Sequence, residues 1–169
     1  MTEIQPYVVE SEHDGFEVRS YPEHLLVEVD VGGDFFEAGN RGFRPLISYI
    51  SGDNAGNTKV AMTAPVIQAP VGERYTVSFV LPDDMDAASV PIPTGAGVRT
   101  RVAPAGRVAA RRFSGGADEA RFADNALRLA AAVAASGFSP VGVPYFARYD
   151  APWKPGFLRR NEALLRLAD

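Results

Sequence analysis

Two histidines, His13 and His24, are the only imidazoles in a chain that has no cysteine, and that scarcity bounds its chemistry. The lack of thiols excludes disulfides, thiolate haem ligation, covalent c-type haem attachment, zinc knuckles and a cysteine nucleophile. With only two imidazoles a multi-histidine metal site is hard to build, although a carboxylate-rich one stays open, so metal ligands are left unassigned. A Ser/His/Asp triad would have to recruit His13 or His24, both set in strand-like N-terminal sequence. No Gly-x-Ser-x-Gly or His-Glu-x-x-His pattern occurs, and Gly32-Gly33 and Gly115-Gly116 lack the companion spacing and the lysine of a phosphate loop. The neighbouring acids Asp83-Asp84, and Glu119 with Asp124, read as a solvated loop and a helix surface. The residues point to a binder and not to an enzyme.

Composition narrows the partners. With 169 residues, 46% of them hydrophobic and 22% charged, the chain suits one compact domain spanning 1–169. A net charge of −4 opposes nucleic acid, whose binding rests on clustered cations. Met1–Pro6 has no basic start leading into an apolar run, so no signal peptide is expected. No stretch approaches the ~18 apolar residues of a membrane span, and a cytoplasmic location is the expectation.

The elements that must position any site alternate at strand period over Phe16–Tyr21 and Leu25–Val31. Asp34 then caps a helix over about 34–51, with Phe35, Gly39, Phe43, Ile47 and Ile50 at helical spacing. Gly42 and Pro45 within it predict a kinked or two-piece helix. An extended run from Lys59 to Gln68 is interrupted by Pro65, and Tyr75–Leu81 is the clearest strand. After a Pro-rich connection the order repeats. Strands at Val98–Val102 and Arg107–Phe113 precede a helix over about 118–136, whose inner face holds Phe122, Ala126, Leu129 and Val133, with Gly137 beyond it. Strands at Tyr145–Tyr149 and Asn161–Leu167 follow. A shift of 82 positions brings Arg19 onto Arg101, Pro22 onto Pro104 and Gly33 onto Gly115. The fold expected is α+β: two pseudosymmetric ββαββ halves, about 7–81 and 98–167, in one sheet system or distorted antiparallel β-barrel with two helices outside.

Five stretches in order carry a more specific message: Tyr7–Glu10 with Phe16–Tyr21, Gly42–Asn54, Lys59–Val66, Tyr149–Lys154 and Arg159–Glu162. Together with the Phe-x-Leu-Pro of Phe79–Pro82, they resemble the SOUL/haem-binding-protein family over nearly the whole chain. The resemblance implies the same distorted barrel of two halves, and a non-covalent haem or other porphyrin as the small-molecule partner.

In that family the porphyrin lies against the first helix and the loop before the last strand. The matching positions are Asn40, Phe43, Arg44 and Ile47, then Tyr149 as an aromatic edge and Lys154 as a mobile cation. Asn40, Phe43 and Ile47 fall at i, i+3 and i+7, on one helix face. An apolar groove with a cation at its rim can hold the macrocycle and its propionates. Some relatives place an iron-ligating histidine just before the tyrosine of the second strand. Here that position is Ser20, and His24 lies beyond the Pro22 turn. The function expected is a tetrapyrrole carrier or buffer; a small-molecule enzyme of hydrolase type or an effector-binding module on the same fold is the alternative.

Overall fold

The computed structural model describes residues 2–116, 118–151 and 153–169. Met1, at the start of the expected domain, Ala117, just ahead of the second expected helix, and Pro152 within the Tyr149–Lys154 motif lie outside the described residues. In chain order the elements are β1 (Glu3–Ile4), β2 (Val8–His13), β3 (Phe16–Tyr21), β4 (His24–Val31), α1 (Phe35–Ile50), β5 (Thr63–Ala64), β6 (Val66–Val71) and β7 (Arg74–Val80). Then come β8 (Arg99–Ala103), β9 (Gly106–Phe113), α2 (Glu119–Ala135), β10 (Pro140–Arg148), a 3₁₀ turn (Gly156–Leu158) and β11 (Asn161–Leu167). The class is α+β, with antiparallel sheet and two helices.

The chain divides into two compact units. The first joins residues up to Gln5 to Glu23–Pro104. Its antiparallel strands run in the order β6–β7–β4–β8, and β1 pairs in parallel with β5. Asp34 caps α1 by accepting a hydrogen bond from the Glu37 amide at 2.8 Å. Helix α1 lies along β7: Phe35 meets Tyr75 edge-on, Gly42 sits over Val77, and Phe43 meets Phe79 with ring centroids 5.4 Å apart. Eight helical residues and four strand residues both advance about 12–13 Å, so the two elements stay in step. A Cβ on Gly42 would fall 2.5 Å from Val77 Cβ. That close approach is the reason for glycine inside a helix.

Helix α1 is one element, not two pieces, although Pro45 lies inside it. Pro45 removes one amide donor, but Leu46, Tyr49 and Ile50 on the following turn are buried in the same core as Val27, Val77 and Phe79. Burial of that turn outweighs a missing hydrogen bond. Asn54 then closes the helix exit: its Nδ2 donates to the carbonyls of Tyr49 and Thr58, and its Oδ1 accepts from the Thr58 amide. The extended run at 59–68 becomes two strands, β5 and β6, separated by the cis Ala64–Pro65 bond.

The second unit comprises Pro6–Pro22 and Ala105–Asp169. Its antiparallel order is β2–β3–β9–β11–β10. One face holds Phe16, Val18, Ala109, Ala163 and Leu165, which bury Leu129 and Val133 of α2. Asn125, not Ala126, is the residue buried near the middle of α2. It answers a polar need, since its Oδ1 accepts from Arg111 Nε and its Nδ2 donates to the Arg121 carbonyl. Asp118 caps α2, and Gly137 beyond it takes φ +79°.

Strand β2 was not expected, and β10 begins at Pro140 instead of Tyr145. Neither unit coincides with a sequence half: β8 from the second half pairs with β4, and β3 from the first pairs with β9. The expected closed barrel is not formed. Among the described residues β2 pairs only with β3 and β8 only with β4. Glu10 and Glu12 on β2, and Arg99 and Arg101 on β8, put charge on these outer strands, a common guard against further pairing.

Candidate functional site

Helix α1 supplies an exposed apolar strip. Phe36, Asn40, Phe43 and Ile47 follow the i, i+4, i+7, i+11 rule and lie along one flank of its buried face. Phe36 and Phe43 are exposed, the latter at 40% even though its ring edge rests on Phe79. Ile47 is half-buried against the unit's core. Asn40 and Arg44 stand in solvent beside them, and Arg44 makes no ion pair or hydrogen bond among the described residues. The four helix residues expected at a site are thus brought together, with Phe36 added. Its spacing from Asn40 was readable in the sequence.

Tyr149 and Lys154 belong to the second unit, and both already have partners. Lys154 Nζ pairs with Asp150 at 2.9 Å. The Tyr149 ring lies under Arg160, whose Cζ is 3.9 Å from its centroid, and its hydroxyl is hydrogen-bonded to Glu162. Burial first, and then the charge of Glu162, push the Tyr149 pKa well above the ordinary tyrosine value.

These contacts open onto a buried polar cluster that sequence reasoning missed. Strand alternation puts Phe16 and Val18 under α2 and sends Glu17, Arg19 and Tyr21 to the opposite face. The β3–β9–β11 register carries that face across to Glu162. Arg19, 2% exposed, and Glu162, 0% exposed, form a two-pronged ion pair. Arg19 also donates to Glu17 and to the Tyr21 hydroxyl, and its guanidinium covers the Tyr7 ring at 4.1 Å. Arg160 donates to Glu162 Oε2 at 3.1 Å and to the Tyr7 hydroxyl at 2.8 Å. Burial opposes the charge on Glu162, but the hydrogen bond and charge of Arg19, with Arg160, outweigh it and hold the carboxyl below its usual range. Burial pushes Tyr21 up to about 12 despite the opposing pull of Arg19.

The first unit has a counterpart. Arg101, which the 82-residue shift matches to Arg19, donates to the buried Glu28 at 2.9 Å, and Arg99 and Ser78 also reach that carboxylate. Ionised, paired carboxylates of this kind are poor proton shuttles. Among the described residues no group of three or more His, Cys, Asp or Glu side chains could hold a metal ion, and no helix is long and apolar enough to cross a membrane.

A family profile described as "SOUL heme-binding protein" matches residues 2–166. The chain belongs to the SOUL family.

No curated protein matches the SOUL chain, but solved structures share its fold. The C-terminal domain of EcmrR is 14% identical with a TM-score of 0.65, covering 96% of this chain and 98% of that one. A hydrolase from Listeria innocua is 10% identical with a TM-score of 0.59, covering 94% of each. SAV2435, solved bound to tetraphenylphosphonium, is 10% identical with a TM-score of 0.54, covering 90% and 93%. Identities this low speak for the fold alone.

Proposed function

We propose that this SOUL protein binds haem or a related tetrapyrrole non-covalently and acts as a carrier or buffer. The observation that carries the reading is the partly exposed Phe36–Phe43–Ile47 strip on α1 in a chain matched end to end by a haem-binding family. A macrocycle needs flat apolar area and a cation for its propionates. The strip and the neighbouring Arg44 supply both in kind. Bound haem would bring its own iron and optical chemistry, while the chain contributes apolar contact and propionate pairing. Lys154, in the second unit, is already paired with Asp150. Ser20 leaves iron without the family histidine, so metal-free porphyrin should bind comparably.

This reading makes the protein a non-enzyme that works in the cytoplasm without nucleic acid. Its two ββαββ halves would stand as a pseudo-repeat, a view supported by Arg19 and Arg101 each meeting a buried glutamate. An effector-binding or hydrolase role is the second reading, favoured by the Listeria innocua hydrolase and the tetraphenylphosphonium-bound SAV2435 among the fold relatives. A bulky lipophilic cation such as tetraphenylphosphonium calls for an uncompensated carboxylate, whereas Glu162 and Glu28 each already face two arginines. The test is titration with haemin and with protoporphyrin IX, following the Soret band and Trp153 fluorescence. Saturable binding of both supports the carrier. Binding of neither, with tetraphenylphosphonium bound instead, would replace it with the second reading.

A further inference from the structure

The apolar strip of α1 is bordered on its solvent side by two charges of opposite sign. Glu37 and Arg44 stand seven residues apart, so they share one stripe of the helix, two turns and about 10 Å from each other. Asn40, exposed and uncharged, lies between them. Phe36 and Phe43 run beside this stripe, each one residue ahead of a charge. The strip thus has an acidic end at the helix start, where the exposed cap Asp34 adds a second carboxylate. Its other end, beside Phe43 and Ile47, is cationic.

Pairing sharpens the contrast. Arg41, the other cation of α1, lies on the side of the helix away from Phe43. It reaches Glu37 at 3.9 Å and donates to the Gly32 carbonyl. Glu37 and Arg41 are each more than half exposed, and so loose a contact leaves most of the Glu37 charge in place. Arg44 has no hydrogen bond or ion pair among the described residues. A ligand carboxylate therefore finds a free cation at one end of the strip and repulsion at the other.

Tetrapyrroles differ in where their carboxylates lie. Haem and protoporphyrin IX carry both propionates on adjacent pyrroles at one edge, coproporphyrin carries one on every pyrrole, and uroporphyrin carries two on each. A one-edged ligand can set its propionates at Arg44 and its apolar edge over Phe36 and Phe43. A ligand charged on every edge cannot. Whichever way it turns, a carboxylate meets the apolar strip or the Asp34–Glu37 end, at a cost in desolvation or repulsion. We infer that the site selects tetrapyrroles whose carboxylates are confined to one edge, with Arg44 setting the orientation and Glu37 rejecting carboxylates at the opposite end. This selectivity presupposes the tetrapyrrole binding proposed above.

The full chain is titrated with protoporphyrin IX, its dimethyl ester, coproporphyrin III and uroporphyrin III, following the Soret band. Protoporphyrin IX should bind about tenfold or more tighter than coproporphyrin, and uroporphyrin more weakly still. Arg44→Glu should weaken protoporphyrin IX about fivefold more than its dimethyl ester, which has no carboxylate to pair. Glu37→Lys should strengthen coproporphyrin binding about fivefold, a gain that loss of fold cannot imitate. Circular dichroism checks that both variants stay folded. Equal affinity for protoporphyrin IX and coproporphyrin overturns the selectivity and leaves the carrier reading standing. So does coproporphyrin binding that Glu37→Lys fails to move. Binding of none of the four porphyrins removes the carrier reading and the selectivity together.

Discussion

Both outer nitrogens of Arg19 meet both carboxylate oxygens of Glu162, Nη1 to Oε1 at 2.7 Å and Nη2 to Oε2 at 2.5 Å, with neither side chain in water. A buried pair of this geometry resists the loss of one member more than the loss of both. Glu162→Ala leaves Arg19 and Arg160 without their shared carboxylate and should cost about 3–5 kcal/mol. Adding Arg19→Met should recover part of that loss. Urea unfolding of the two single variants and the double variant gives the coupling. Additive losses would show that the pair is not the unit of stability.

The same cluster sets the acid limb of stability. Glu162, Glu28, Asp30 and Asp150 all have folded pKa values below their ordinary ones. For Asp30 the hydrogen bond from Arg99 is the main cause; for the others arginine or lysine partners overcome burial. A depressed carboxylate contributes stability above its unfolded value of about 4, and the contribution is lost as pH falls through the folded value. Urea midpoints should therefore hold from neutral pH to about 5 and drop steeply below 4.

At the alkaline end the sign reverses. Tyr21 is raised to about 12 and Tyr149 is raised further. The unfolded chain gives up these protons near pH 10, while the folded chain keeps them. Stability should be intact below pH 10 and decline from there to about 12. Absorbance at the tyrosinate band should show some tyrosines ionising only on unfolding. Full, reversible ionisation near pH 10 in the folded protein would refute this.

Gly42 tests the approach of α1 to β7. Alanine gains about 1 kcal/mol of helix propensity, but its Cβ would fall 2.5 Å from Val77 Cβ. Overpacking costs about 1–3 kcal/mol, so Gly42→Ala should lower Tm. A rise would mean that the helix can lift off the strand freely.

For the tetrapyrrole, Phe43→Glu or Ile47→Glu should weaken haemin and protoporphyrin alike, by on the order of tenfold or more, because apolar burial is the main term. Lys154→Ala should cost about fivefold or less, as an exposed ion pair does. His24→Ala should leave the Soret band largely intact. Circular dichroism on each variant separates a lost site from a lost fold. A folded Ile47→Glu protein with unchanged affinity would put the ligand elsewhere.

Much of the fold was legible because local patterns carried it. Strand β3 falls where alternation predicts, β11 spans the expected Asn161–Leu167, and Asp34 and Asp118 cap the helices as their positions suggest. Strand β2 escaped notice because its residues are mostly exposed and impose no alternation. The strand exchange between halves was invisible because no local signal records a partner so far along the chain. The motif residues were legible as a set but not in their roles. Gly42 and Asn54 serve close packing and helix exit. Tyr7, Arg19, Tyr149, Arg160 and Glu162 build the ionic cluster. A charged residue gives no sign of burial in sequence until its partner is known. The one available hint was Arg19 in a strand between Val18 and Tyr21.

The strand exchange also has a consequence for biosynthesis. The β2–β3 hairpin leaves the ribosome early, yet Tyr21 pairs with Gly106, about 85 residues later. At roughly 5–20 residues per second, that delay lasts about 4–17 s. Throughout it Phe16 and Val18 wait without β9 or α2 to cover them, while every strand between Glu23 and Pro104 is made and can pair. The first unit can thus mature beside a hairpin still unmatched. That nascent hairpin is where a chaperone would find an exposed apolar edge.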